Sequence, residues 1–406
     1  AIMPVMFFIP SFIFVFFNQY SLTSGVILSQ FIVLSLTANR IPRIGISKAG
    51  FIYILAGVLV MACQAGYILI TANETKPLIS IVAMIALSAP IIFLSCFLST
   101  MNTNDLSRVA MYFCVIIIVL GWVSILSPIA IGSYAHKIKP VFPFSEPSHY
   151  ALVLGFLFCT FGYYSSKKLK LFVLLNMLSQ AALLPNLTLI VFVFIAMLIF
   201  WGGKGLMSII FISVTLLILF YSSILFLEGT EVGSYILSRV VLNNSTDNLT
   251  ALVFLQGIDD AKRALIETHG VGLGFQMAGT NTIGEYGYRI WMLSGMEINR
   301  LDGGFLASKI VSEFGVLGVV FLALYIKGVL KSLISLKGAT SSDDEMRRLM
   351  VIYACAVISL LVEIFLRGFG YFSPTILMFI ALYLMKKIKE RELAHARNLH
   401  CSSAHR

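Results

Sequence analysis

The stretch Phe144-Ser145-Glu146-Pro147-Ser148-His149-Tyr150 sets a carboxylate and an imidazole three positions apart, with two hydroxyls beside them. An ionisable pair of this kind supplies a base and its orienter for a hydroxyl nucleophile. The same residues suit a helix start, with Ser145 or Glu146 as cap and Pro147 in the first turn. The two readings are compatible, because a capping carboxylate still faces water. Lys137 and Lys139, just upstream, are candidate phosphate binders by charge.

A second constellation is His269-Gly270-Val271-Gly272-Leu273-Gly274-Phe275. It is no dinucleotide fingerprint: no strand precedes it, and Met277 stands where the next glycine is required. It also lacks a P-loop Lys-Ser/Thr. It reads as a turn, or as a backbone-lined concavity where a phosphate approaches amide N–H groups. Arg239 follows Glu228 and Glu231, which makes it either half of a surface ion pair or a fixed guanidinium for pyrophosphate. Arg289 and Arg300 are further candidates for that role. Glu313, Glu363 and Arg367 lie in or near apolar runs, where ionisable groups are costly. Glu363 and Arg367, four apart, are expected to share a helix face and neutralise each other. The hydrophilic stretches hold no HExxH motif, Asp-rich cluster or DxD pair, so no metal or other cofactor is expected. Five of the six cysteines fall in apolar runs and Cys401 in the tail, which gives no disulfide framework.

The elements that position these groups follow from composition. The chain has 406 residues, of which 59% are apolar and only 12% charged. Soluble domains are about half apolar and about a quarter charged. A soluble enzyme, a disordered chain and a coiled coil are thereby excluded. Apolar runs at 2-17, 20-38, 50-71, 78-100, 109-131, 148-165, 171-184, 187-201, 206-227, 304-326, 349-364 and 374-385 predict about twelve membrane helices. The seventh and eighth, parted only by Leu184-Pro185-Asn186, are expected as a tight hairpin or one kinked element. No cleavable signal peptide is read at the start, which opens on Ala1 rather than Met.

The net charge of +10 is read as topology, not as a nucleic-acid footprint. With the amino terminus inside, nineteen of the 29 basic residues fall on inner segments, six of them in the basic tail 386-406. Both termini are then cytoplasmic. A small loop at 132-149 and a large one at 228-303 face outward. A loop that long is usually functional. Within it Phe254, Ile258, Ala261 and Leu265 recur at helical spacing, and Asp259 and Arg263 form an i,i+4 pair. This predicts an amphipathic helix lying on the outer membrane surface. Lys262, Arg263 and His269 gather near its end, and Gly270 stops it.

Two stretches, Phe144 to Ala151 and the order helix, Gly270-Val271-Gly272-Leu273-Gly274, polar gap, then Phe305 to Gly318, resemble the O-antigen polymerase (Wzy) and O-antigen ligase superfamily of bacterial envelope proteins. The resemblance implies a single all-α polytopic transmembrane domain over 1-406, GT-C-like, with a large periplasmic loop. It implies an enzyme of the inner membrane that joins oligosaccharide repeat units carried on undecaprenyl pyrophosphate. Basic residues of the outer loops would hold the pyrophosphate, here Lys139, Arg239, Lys262, Arg263 and Arg289. A base would activate the acceptor hydroxyl, from among Glu146, His149, His269 and Asp302. No metal or nucleotide sugar is implied. A flippase and a chain-length regulator of the same pathway are the implied partners.

Position by position, Lys139 stands where the family often has Arg, which keeps the charge but loses bidentate recognition. Arg239 matches the usual basic residue early in the large loop. Ligases carry a His-Asn pair before the next span, whereas this chain reads Leu301-Asp302-Gly303-Gly304-Phe305. That favours the polymerase over the ligase. A flippase or transporter, the more distant rival, would show internal repeats and charges lining a central cavity. No convincing repeat is present.

Overall fold

The computed structural model describes residues 2–19, 21–39, 48–127, 134, 140–201, 247–337 and 344–403. Among them the chain is all helical. In order come α1 (Ile2–Phe16), α2 (Thr23–Thr37), α3 (Lys48–Ala72), α4 (Lys76–Ser99), α5 (Thr103–Leu126), α6 (Pro147–Phe161), α7 (Lys167–Leu183), α8 (Leu187–Trp201), α9 (Leu249–Glu267), α10 (Glu285–Ser294), a 3₁₀ turn (Arg300–Asp302), α11 (Leu306–Lys337), α12 (Glu345–Phe365) and α13 (Pro374–Ser403). Eleven of the twelve apolar runs fall on these helices; the run 206-227 lies outside the described residues. By length and composition α4, α5, α11 and α12 are each able to cross a membrane. α1, α2, α6 and α8 are apolar but shorter. The architecture is that of a helical membrane protein. α7 and α8 are two helices joined at Leu184-Pro185-Asn186.

α6 is the centre of the bundle. Every residue from Tyr150 to Phe161 is buried, against α5, α8 and α12. A helix apolar all round suits such a position, in a core or across a membrane. Its polar atoms find partners inside: Tyr150 donates to Gln180 Oε1, and Gln180 Nε2 to the Ile118 carbonyl at 2.8 Å. Trp122 Nε1 donates to Asn176 Oδ1 at 2.8 Å. Where no water reaches, each such group needs a protein partner.

Hydrogen bonds between helix ends define two faces. At one, Arg348 donates to Asn104, and Lys389 donates to the Met101 carbonyl at 3.1 Å and to Glu345. The Lys167-Lys168 and Arg347-Arg348 pairs start helices there, so we call it the basic end. At the other lie the α3–α4, α7–α8 and α12–α13 connections and everything from Asp247 to Phe305, a cap over the bundle.

The cap is locked into α11 through backbone. At Gly315 the helix breaks (φ +58°, ψ −132°). The glycine segment fills the break: Leu273 N–H donates to the Ser312 carbonyl at 2.8 Å, Gly274 N–H to that of Glu313 at 2.9 Å, and Val316 N–H to that of Gly270 at 2.9 Å. A Cβ on Gly272 (φ +90°) would fall on the Glu313 carbonyl oxygen, and one on Gly315 on that of Gly270. Only glycine fits at either place. Val316–Lys337 is then a helix of about 33 Å, close to a hydrocarbon core of about 30 Å. Leu306–Phe314 belongs to the cap.

α9 departs from its expected setting. Its buried face is Val253, Gln256, Gly257, Asp260, Ala261 and Ala264, packed on α10 and α11, while Ile258 is exposed and Phe254 and Leu265 are half-buried. The large apolar residues marked the wrong stripe, because small Gly257, Ala261 and Ala264 are what allow α11 to approach. α9 is therefore packed into the cap along its small-residue face.

Candidate active site

The chain before α6 is pinned by Phe144, whose fully buried ring meets Phe8 at 5.8 Å and Tyr150 at 5.9 Å. Phe142 N–H donates to Ser124 Oγ at 3.2 Å, and Tyr134 donates to the Pro143 carbonyl at 2.7 Å. This holds Glu146 at the N-cap of α6 in extended backbone (φ −152°, ψ 159°), but its side chain makes no capping bond. Glu146 Oε1 is turned instead to His149 Nε2 at 2.9 Å, Ser148 Oγ at 2.7 Å and Arg367 Nη2 at 2.5 Å. Among the described residues its Oε2 has no hydrogen bond. Ser145 Oγ stands 2.7 Å from His149 Nδ1, and the Phe369 ring lies 4.2 Å from the imidazole. Both imidazole nitrogens are thus engaged. With Nε2–H donating to Glu146, Nδ1 accepts from the Ser145 hydroxyl.

Burial pushes the Glu146 carboxyl up, but His149 and Arg367, with the Ser148 hydroxyl, outweigh it and hold it well below the usual carboxylate range. The helix N-terminus favours the same charge. Glu146 therefore stays ionised at neutral pH, an acceptor and orienter more than a base acting alone.

Glu146, Ser148 and Arg367 lie on the wall of a cleft of about 430 Å³ at the cap end. Its other walls are the α7–α8 connection with Leu187 and Val191, and the start of α9 with Ala251, Val253 and Phe254. One side is charged and the rest largely apolar, the usual make-up of a ligand cleft. Asn186 shapes the rim, donating to the Pro147 carbonyl at 2.6 Å.

Of the candidates from sequence, Glu146 lines the cleft and His149 pairs with it just behind that wall. Lys137, Lys139 and Arg239 lie outside the described residues. His269 and Asp302 are exposed and do not line the cleft. Lys262 is exposed; Arg263 pairs with Asp259 at 3.1 Å, as its spacing predicts, and Arg289 with Asp247 at 2.7 Å. None of these three lines the cleft. Arg300 is buried in the cap, 3.7 Å from Asp260. The amides after Gly270 are spent inside the protein: Gly272 N–H on Thr268 Oγ1 at 2.8 Å, and those of Leu273 and Gly274 on α11. Gly270, Gly272 and Gly274 form a structural joint with no donors turned to a phosphate.

Arg367 is the residue sequence reasoning misplaced. α12 ends at Phe365, so Glu363 and Arg367 do not share a helix face. Glu363 is buried and accepts from Thr375, while Arg367 reaches Glu146. Glu313, fully buried, accepts from Tyr371 at 2.8 Å and from Ala278 N–H at 3.3 Å, with Lys309 at 3.6 Å. It ties cap to bundle. Among the described residues no group of three or more His, Cys, Asp or Glu converges.

No family model, curated protein or solved structure matches this chain. The geometry of the cleft carries the functional reading.

Proposed function

We propose that the chain polymerises oligosaccharide repeat units carried on undecaprenyl pyrophosphate into O-antigen or a related surface polysaccharide, at the outer face of a bacterial inner membrane. The carrying observation is the meeting of Arg367 and Glu146 on the charged wall of a cleft whose other walls, the α7–α8 connection and the start of α9, are largely apolar. A lipid-linked pyrophosphate needs both surfaces at once. The resemblance of Phe144 to Ala151 and of Phe305 to Gly318 to the Wzy family supports the same reading.

In this reaction the acceptor hydroxyl oxygen bonds to the donor sugar's anomeric carbon. The bond from that carbon to the pyrophosphate oxygen breaks, and its electron pair leaves with the lipid pyrophosphate. Arg367, one N–H of which is held by Glu146, presents its remaining donors to the leaving group. Glu146 Oε2 accepts the hydrogen bond of the incoming hydroxyl. The released proton goes to the Glu146–His149 pair. Ser145 holds the far side of the imidazole.

Purified protein with purified lipid-linked repeat units tests this. A ladder of products, with release of the lipid pyrophosphate, is the expected result. In cells, loss of the gene should leave lipopolysaccharide capped with single repeat units. Accumulation of free lipid-linked polymer would mark a ligase instead. Movement of the lipid across the bilayer with no new glycosidic bond would mark a flippase.

A further inference from the structure

α9 packs along one face on both α10 and α11, whereas α10 has one packed side only. Gly287 and Ile290 form its buried side, Ile290 on Leu252 and Val253 of α9. Its other side carries Tyr288, Trp291, Met292 and Leu293, with Met296 just beyond; Trp291 is 48% exposed, Met292 62% and Met296 61%. Four large apolar residues on about 15 Å of helix, with a fifth just beyond it, are more than a water-facing surface usually leaves uncovered.

We propose that α10 is an interfacial anchor, lying in the headgroup layer of the outer leaflet with Trp291, Met292 and Met296 turned to the acyl boundary. Tryptophan and tyrosine favour that depth, since each has an apolar body and a polar edge. Methionine and leucine favour the region just below. A glycan platform would need hydrogen-bonding groups around the rings. Here the Arg289 guanidinium is bound to Asp247, and Ser294 Oγ donates to the Ile290 and Met296 carbonyls. The helix also adjoins the cleft through its buried side: Ile290 sits on Val253, itself a cleft residue, and the opposite cleft wall is the start of α8. Seating α10 at headgroup depth fixes the cleft mouth at that depth too. This placement does not depend on the chemistry proposed for the cleft.

Trp291 is one of only three tryptophans, with Trp122 and Trp201. Its emission is isolated as the difference between the full chain and its Trp291→Phe variant, both in phosphatidylethanolamine and phosphatidylglycerol vesicles. Lipids brominated near the top of the acyl chain should quench that difference by more than half. Lipids brominated near the chain end, and aqueous iodide, should quench it several-fold less. Efficient iodide quenching without lipid quenching overturns the proposal, as does quenching by neither, which would mean that protein covers the helix. An emission shift on adding oligosaccharide, again without lipid quenching, overturns it in favour of a glycan surface. A Met292→Glu, Met296→Glu pair should lower the lipid quenching while polymerisation assayed in detergent is unchanged. Loss of that assay in every form of the protein would count against the cleft reading and leave the anchor standing.

Discussion

Arg367 donates to Glu146 Oε1 at 2.5 Å across 221 residues of sequence. The bond ties the end of α12 to the start of α6 on the cleft wall. With His149, the larger influence, it keeps Glu146 ionised, and it leaves most of the guanidinium for a ligand.

Arg367→Ala should therefore lower polymerisation roughly 100-fold in the purified system, with shorter chains in cells, since it removes a preorganised cation from the leaving group. Arg367→Lys should recover only part, having lost the planar fork. Arg263→Ala, at a pair that does not line the cleft, should change the rate less than about 2-fold. Equal losses at both positions would remove the special role of Arg367.

His149→Ala should reduce the rate by roughly 100-fold, the size of a general-base contribution. Glu146→Gln keeps the shape but removes the charge that fixes the imidazole. It should lower the rate. Ser145→Ala should give a smaller loss of rate. Rates for all three that match the unaltered protein would show that the proton goes elsewhere.

Gly272→Ala and Gly315→Ala should each destabilise the protein by more than about 2 kcal/mol, because the new Cβ meets backbone that has nowhere to move. Gly328→Ala is the control, with open space around its added carbon. Melting in detergent reads the difference. A Gly315→Ala protein that melts with the unaltered one would mean that the helix is not broken there.

Asp260 is 2% exposed, and burial pushes its carboxyl up to about 6 against the pull of Arg300. Between its ordinary value of 3.8 and about 6, the folded chain keeps a proton that the unfolded chain has released. Stability should therefore fall as pH rises across that window and level off above it, by roughly 3 kcal/mol in all. Glu146 acts in the opposite sense, its contribution being present above about 4.5 and lost as pH falls. Melting temperatures from pH 4 to pH 8 at fixed salt should show the decline, and Asp260→Asn should flatten it.

The helices were legible because an apolar run of bilayer length admits few other folds. The break in α11 was not: Ser312-Glu313-Phe314-Gly315-Val316 contains no proline, and one glycine in an apolar run is ordinary. Only the facing segment 270–274 shows why the helix stops. Glu146 and His149 were legible as a pair through local spacing. Arg367 was not, because its four-residue distance from Glu363 offered a nearer partner than the true one. The stripe on α9 misled for a related reason, since side-chain size marks lipid-facing and core-facing residues alike, whereas close helix approach calls for small ones.

The joint at Gly315 also bears on how such a chain can be recombined. Residues 270–274 and 312–316 share one set of backbone bonds. Neither half can be exchanged for a sequence of different shape without the other. A chimera that imports a foreign cap must bring α11 from Leu306 to Gly315 with it. The natural point of division is then inside that helix, just past the break, and not at the loop boundary that hydropathy would choose.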